Sequence, residues 1–154
     1  YRFSANVIVY KRRLVDVLSD PLTNYLDLVD IYISRINNPG DIIATFSRGS
    51  LVKEEISFIL LSSELEGISK ERFFAARENL PMFMSVPSFE VTGHIQWGRQ
   101  SPDIKKILMT DVHRFLPVLD AKATNSVQPA LSFQGPLALV NKSKIQIICV
   151  GHGP

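Results

Sequence analysis

The stretch YLDLVD at residues 25–30 is matched by FLPVLD at residues 115–120, and this pair of matching stretches decides the fold of the chain. The helical-turn residues before them, VL at 17–18 and IL at 107–108, keep the same spacing. Downstream, KEEISFI at 53–59 is matched by KSKIQII at 142–148, within one residue of that spacing. Self-similarity at a fixed period is typical of repeated structural units. The sequence therefore predicts an internal duplication.

Each copy has the composition of a mainly β unit. Residues 25–33 and 115–121 are rich in β-branched and aromatic side chains, which favour strands. A short helical turn is expected before each of these strands, and RGS at residues 48–50 is interpreted as a turn. Two units of roughly 60 residues are each near the lower size limit for an independent core. We therefore expect two tandem barrel-like or open-sheet units, residues 1–61 and 87–154, packed on each other.

The segment between the copies, residues 62–86, is expected to connect them. Ser69 is a suitable N-cap and Pro81 a strong stop, so the sequence predicts a helix over about 70–80. The apolar run that follows has two interpretations, a linker that crosses the core or an exposed strip that binds a partner protein. The residues of that candidate strip are Met82, Phe83 and Met84.

Composition excludes few function classes but sets limits. Lys and Arg total 17 and Asp and Glu 15, so the chain lacks the strong basic balance of a polyanion-binding domain. Cys149 is the only cysteine, which excludes an intrachain disulfide, and its apolar neighbours predict a buried thiol. Two basic clusters beside aromatic residues are candidates for contact with nucleic acid or anionic lipid, or are simply solvated. They comprise Lys11, Arg12 and Arg13, and Lys105 and Lys106.

The sequence lacks the usual patterns of metal and cofactor sites. The three histidines do not have the spacing of a zinc site, and phosphate-binding glycine loops do not occur, so we expect no metal or cofactor. Asp30 and Asp120 occupy matching positions, and a pseudo-twofold axis would bring the two carboxylates together near His113. In the alternative interpretation, each aspartate ends its strand and caps the following turn.

The turn RRLVDVLS at 12–19, and the strand RFLPVLDA at 114–121, resemble a repeat found in many uncharacterised bacterial proteins. In that family a glycine-bearing strand leads to an Arg-Leu-Ser-Asp-x-Leu-Asn-like turn and a Phe-Leu-x-Leu-x-Asp-Ala-like strand. A last strand often follows an Asn-Lys step, which the second copy keeps as Asn141-Lys142. The second copy also keeps Gly93, where we align Asn6 in the first copy. The family has no assigned activity, so the resemblance implies the repeat and no chemistry.

The same order of strands is similar to the small Sm-like barrel. Sm-type RNA sites carry an Asp-x-x-x-Asn turn and an Arg-Gly step before the last strand, whereas residues 111–114 here are DVHR. The resemblance implies a barrel-like shape, and single-stranded nucleic-acid binding becomes the alternative function.

The leading hypothesis is a non-catalytic structural or adaptor subunit of a larger protein assembly. Its expected partners are other protein subunits and a membrane surface. The expected location is either the cytoplasm or the cytoplasmic face of a membrane. Nucleic acid is the less favoured partner, and a small-ligand or enzyme site between the repeats is the third alternative.

Overall fold

Two antiparallel sheets make up most of this chain in a computed structural model, which describes residues 1–64, 78–98, 103–109 and 113–151. The protein is mainly β, as predicted. Unit one consists of β1 (Arg2–Val7), α1 (Leu14–Ser19), β2 (Tyr25–Arg35), β3 (Asn38–Val52), a 3₁₀ helix (Lys53–Glu55) and β4 (Phe58–Leu61). An additional strand, β5 (Glu78–Val86), precedes unit two. Unit two consists of β6 (Phe89–Trp97), α2 (Ile104–Met109), β7 (Phe115–Asn125), β8 (Ser132–Asn141), a 3₁₀ helix (Lys142–Lys144) and β9 (Ile147–Val150).

The predicted duplication is confirmed, because the two units repeat one order of elements. Asp30 and Asp120 both have a positive φ, 54° and 48°, at matching points of β2 and β7. The pairing of β1 with β2 shifts register between Ser4 and Asn6, and that of β6 with β7 shifts at the matching place. The structural match of Gly93 is therefore Ala5, one residue before the Asn6 expected from sequence.

The two units share a sheet. One sheet has the order β1-β2-β3 and the other the order β4-β8-β7-β6-β5-β9, so the last strand of unit one lies in the sheet of unit two. The six-stranded sheet is open, since β4 and β9 do not pair with each other within the described ranges. Of the two predicted architectures, barrel-like or open-sheet, the structure has the open sheet.

Strand β5 was not expected from sequence. It pairs with β6 along its whole length and with β9 over residues 82–85, so it is an inner strand of the sheet. The helix predicted over about 70–80 is wrong at residues 78–80, which begin β5. Residues 70–77 of that prediction lie outside the described residues. Residues 78–80 are held in the strand by their pairing with β6, and Pro81 lies within β5, opposite His94.

Strand β3 is longer than the sequence predicted. Arg48, Gly49 and Ser50, interpreted above as a turn, pair in register with Val29, Leu28 and Asp27 of β2. Local turn preference is overridden here because each of these residues gains a ladder partner.

Two apolar clusters form the core. One lies within unit two, around Met84, Val91 and Val118, and the other lies between the units, around Leu18, Leu26 and Phe115. No helix in the described part of the chain is long and apolar enough to cross a membrane.

Candidate interaction surface

The most extensive contact between the two units is made by strand β4 on strand β8. The strands are antiparallel, and the register pairs Phe58 with Val140 and Leu61 with Leu137. Strand β4 thus extends the sheet of unit two by one strand, although it belongs in sequence to unit one. Strand addition supplies main-chain hydrogen bonds, and the alternating side chains supply specificity.

Side chains from both units fill the space behind this pairing. We call the contributing residues of unit one the donor surface and those of unit two the acceptor surface. Each leucine of this kind contributes about 1.5–3 kcal/mol when it is fully buried. The donor surface comprises Leu14, Leu18 and residues 58–61: Ile59 and Leu61 share a cluster with the acceptor leucines, whereas Phe58 and Leu60 pack against the core of unit two. The acceptor surface comprises Phe115, Leu119, Leu137 and Leu139, each at most 6% exposed.

Asn141 closes the polar part of the junction. Its backbone N–H donates to the carbonyl oxygen of Ser57 at 3.0 Å, and its side-chain amide donates to the carbonyls of Ile56 at 2.9 Å and Lys53 at 3.3 Å. Its side-chain oxygen accepts from Ser143. Asn141 is fully buried, so these bonds satisfy carbonyls that water does not reach.

Lys53 fixes the donor helix in place. Its side chain is fully buried, and Nζ donates to the carbonyl oxygens of Val17 and Asp20 and to Oγ1 of Thr23. The cation therefore lies at the C-terminal end of α1, where backbone carbonyls are unpaired and the helix dipole is negative. Burial lowers the pKa of Lys53 because it disfavours the charged form; the charge of Asp20 opposes this effect, and the charge of Arg114 adds to it.

A salt bridge supports the same end of α1. Arg12 Nη1 lies 2.7 Å from Asp20 Oδ2, and the backbone N–H of Leu22 donates to the other carboxylate oxygen. The hydrogen bond from Arg12 and the one from Leu22 lower the pKa of Asp20.

Unit two has its own copy of the donor surface, and that copy is partly exposed. Ile104 is 37% exposed where its match Leu14 is 8%, and Ile147, the match of Phe58, is 52% exposed. Cys149 is also exposed, which corrects the expectation of a buried thiol. Met109, at the end of α2, is exposed as well. An apolar surface thus occupies the positions that, in unit one, are covered by the junction.

Unit one has a copy of the acceptor surface that differs in chemistry. Arg48 and Ser50 occupy the register positions of Leu137 and Leu139, and both are exposed. Tyr25, the match of Phe115, is 53% exposed. Further along β3, Ile42, Ile43 and Phe46 are exposed too, beyond the part of the strand that matches the β4 pairing.

The candidate strip of Met82, Phe83 and Met84 lies on β5. The two methionines are 5% and 0% exposed and belong to the core of unit two, whereas Phe83 is 37% exposed. The interpretation as an exposed three-residue strip is wrong at both methionines, because alternation along a strand turns their side chains to the buried face.

The predicted cations flank matching helices. Lys11, Arg12 and Arg13 precede α1, and Lys105 and Lys106 lie in α2; all five are exposed. Arg12 is held by Asp20 and by the carbonyl oxygen of Asp16.

The two aspartates proposed for a shared site are each bound within their own unit. Asn6 donates to Asp30 at 3.1 Å, and the matching His94 lies 3.7 Å from Asp120. An open depression of about 220 Å³ is lined by Asp30 and other residues of β2 and β3, all from unit one. His113 contacts Ser19 of α1 at 3.1 Å, at the junction.

Sequence analysis missed the roles of Lys53 and Asn141. Lys53 begins one of the matched blocks, opposite Lys142, and Asn141 directly precedes the other, so the lysine shared by the two copies was the available signal. A lysine before an apolar strand is ordinarily solvated, so nothing in the local sequence indicates that Lys53 is buried.

Comparisons with family models, with curated proteins and with solved structures found no match to this chain.

Proposed function

We propose that this protein is a non-catalytic structural or adaptor subunit that joins other proteins through the edges of its sheets. The observation that carries the proposal is the addition of β4 of unit one to β8 of unit two. The fold already uses strand addition to connect one unit to the next, and the same geometry can connect the chain to another protein.

Unpaired sheet edges support this function. In the described part of the chain, β1 and β3 each pair only with β2, and β9 pairs only with β5. Such edges expose rows of main-chain N–H and C=O groups, which are templates for pairing with another chain. Exposed apolar side chains lie on all three of these strands: Phe3 on β1, Phe46 on β3 and Ile147 on β9.

The proposal is tested by affinity purification of the full chain from its native host, followed by quantitative mass spectrometry. Wild type is compared with Phe46→Lys on β3, Ile147→Lys on β9, and a control, Leu22→Lys. Leu22 is 90% exposed and lies in the turn after α1, away from every strand edge. We expect a defined set of proteins to co-purify with wild type and with the control, and to be lost with at least one edge variant.

Two results would contradict the proposal. One is recovery of the wild-type chain alone at its native abundance. The other is a set of partners that neither edge variant reduces relative to Leu22→Lys. Circular dichroism of each purified variant verifies that the sheets are retained.

A further inference from the structure

The exposed donor surface of unit two repeats a surface whose partner is known inside this molecule. In unit one, Leu14 and Leu18 of α1 and the strand β4 are covered by unit two. In unit two, α2 lies beside β9, and Ile104 and Ile147 have no such cover. The internal junction therefore shows what kind of surface fits there.

The outer edge of β9 presents backbone hydrogen-bonding groups at the same matched positions as the edge of β4 that pairs with β8. Just before β4, the carbonyl oxygen of Ser57 accepts a hydrogen bond from the N–H of Asn141 on β8. Because backbone groups alternate in direction along an antiparallel strand, those of Ile59 and Leu61 also point toward β8. On β9, the N–H of Gly151 bonds to Pro81 of β5, so the same alternation turns the backbone groups of Ile148 and Val150 away from β5. Ile148 and Val150 match Ile59 and Leu61, so the open edge offers the groups that bind β8 in the junction.

A second copy of this chain does not supply a matching acceptor. Within the described residues, the edge that matches the acceptor edge of β8 is that of β3, where Arg48 and Ser50 replace Leu137 and Leu139. Docking there would place the apolar donor surface against a guanidinium and a hydroxyl. Charged residues on an edge strand are a common means by which proteins prevent such pairing. The chain thus has an unpaired donor strand, β9, in unit two and a charged residue on the matching acceptor edge of unit one.

We propose that the donor surface of unit two, formed by α2 and β9, docks on a β-sheet protein other than this chain. The outermost strand of that partner carries large apolar side chains at the two positions held by Leu137 and Leu139 in β8. This inference rests on the proposed function as an assembly subunit, and it adds the edge that is used, the direction of addition and the chemistry of the partner.

The chain itself supplies a defined probe for this surface. Arg48→Leu combined with Ser50→Leu gives β3 the two leucines of the natural acceptor, at positions that are exposed in the fold. The full-length double variant is compared with wild type by sedimentation velocity at about 50 µM, because a head-to-tail contact that does not close on itself produces chains or rings. We expect wild type to stay monomeric and the weight-average mass of the double variant to rise at least twofold.

Two further variants distinguish docking at β9 from non-specific self-association of the double variant. Adding Ile147→Lys to the double variant is expected to restore the monomer, because Ile147 matches Phe58, which packs against the core of the acceptor unit in the junction. Adding Ile43→Lys, at an exposed site of β3 outside the matched register, is expected to leave the assembly intact. Arg48→Val with Ser50→Val repeats the measurement in case the leucine pair disturbs folding.

Three outcomes would overturn the inference. They are a double variant that stays monomeric, an assembly that Ile147→Lys leaves intact, and a wild-type chain that already self-associates through β9. None of them removes the proposed function, since partners held at β3 would still be lost from the purification with Phe46→Lys.

Discussion

The side-chain amide of Asn141 on β8 donates a 2.9 Å hydrogen bond to the carbonyl oxygen of Ile56, which precedes β4. This bond joins unit two to unit one at a place that water does not reach, because Asn141 is fully buried. The amide must donate here, and a side chain that only accepts cannot replace it.

Asn141→Asp is expected to lower the free energy of unfolding by about 1–3 kcal/mol, since it leaves buried carbonyls unpaired and places a carboxylate against them. Asn125→Asp is the matched control. Asn125 is also buried, but its side-chain oxygen accepts from Val127 and Gln128, a role that aspartate retains. Urea unfolding measures both variants, and equal losses would show that the Asn141 amide is not needed as a donor.

Because the ammonium group of Lys53 is buried, the free energy of unfolding is expected to depend on pH in the alkaline range. Its pKa in the folded state lies below the ordinary 10.5 because of burial. Between that lowered pKa and 10.5, the unfolded chain holds a proton that the folded chain has released, so the free energy of unfolding rises with pH in this interval. Below the folded-state pKa the cost of the buried charge is constant.

Lys53→Met is expected to remove this rise, while Lys11→Met, at an exposed lysine, retains it. Urea midpoints of the three proteins from about pH 7 to about pH 10.5 provide the measurement. Parallel curves for wild type and Lys53→Met would show that Lys53 does not titrate differently in the two states.

Gly93 lies at the bulge of β6, where the backbone of β7 leaves no room for a side chain. A Cβ at this position would lie 2.5 Å from the carbonyl oxygen of Leu119 and 2.7 Å from a methyl group of Val118. Gly93→Ala is therefore expected to destabilise the fold by about 1–3 kcal/mol. The reverse change at the matching position of unit one, Ala5→Gly, is expected to cost only about 0.5–1 kcal/mol. Thermal unfolding of both variants tests the difference, and a neutral Gly93→Ala would contradict the close approach.

The exposures of Phe83 and Met84 on β5 predict unequal losses of stability when each is replaced by alanine. Met84→Ala is expected to cost about 2–5 kcal/mol, because the side chain is fully buried in the core of unit two. Phe83→Ala removes a larger side chain that is 37% exposed, and we expect a smaller loss. Urea unfolding of the pair measures which side chain is in the core; a greater loss at Phe83 would reverse the assignment of the two faces of β5.

Local signals were sufficient where each element carries its own pattern. The matched stretches predicted the duplication, and the spacing of Leu14, Val17 and Leu18 predicted α1, because such patterns reflect burial of one face. They were insufficient for β5, since Pro81 and the irregular apolar run do not indicate a strand. The interaction surface was not predictable, because it depends on which residues of one unit are covered by the other.

The sequence by itself determined that this protein is mainly β and built from two related units, since matching apolar patterns in a single chain require matching buried faces. Only the tertiary structure decided that β4 leaves its own unit and joins the sheet of unit two. A four-residue apolar strand can pair with any open edge in register, and the choice is made by long-range contacts: the leucines of β8 and the bonds of Asn141. Tertiary contacts likewise bury Lys53, at the end of α1, and leave the matching surface around Ile147 exposed.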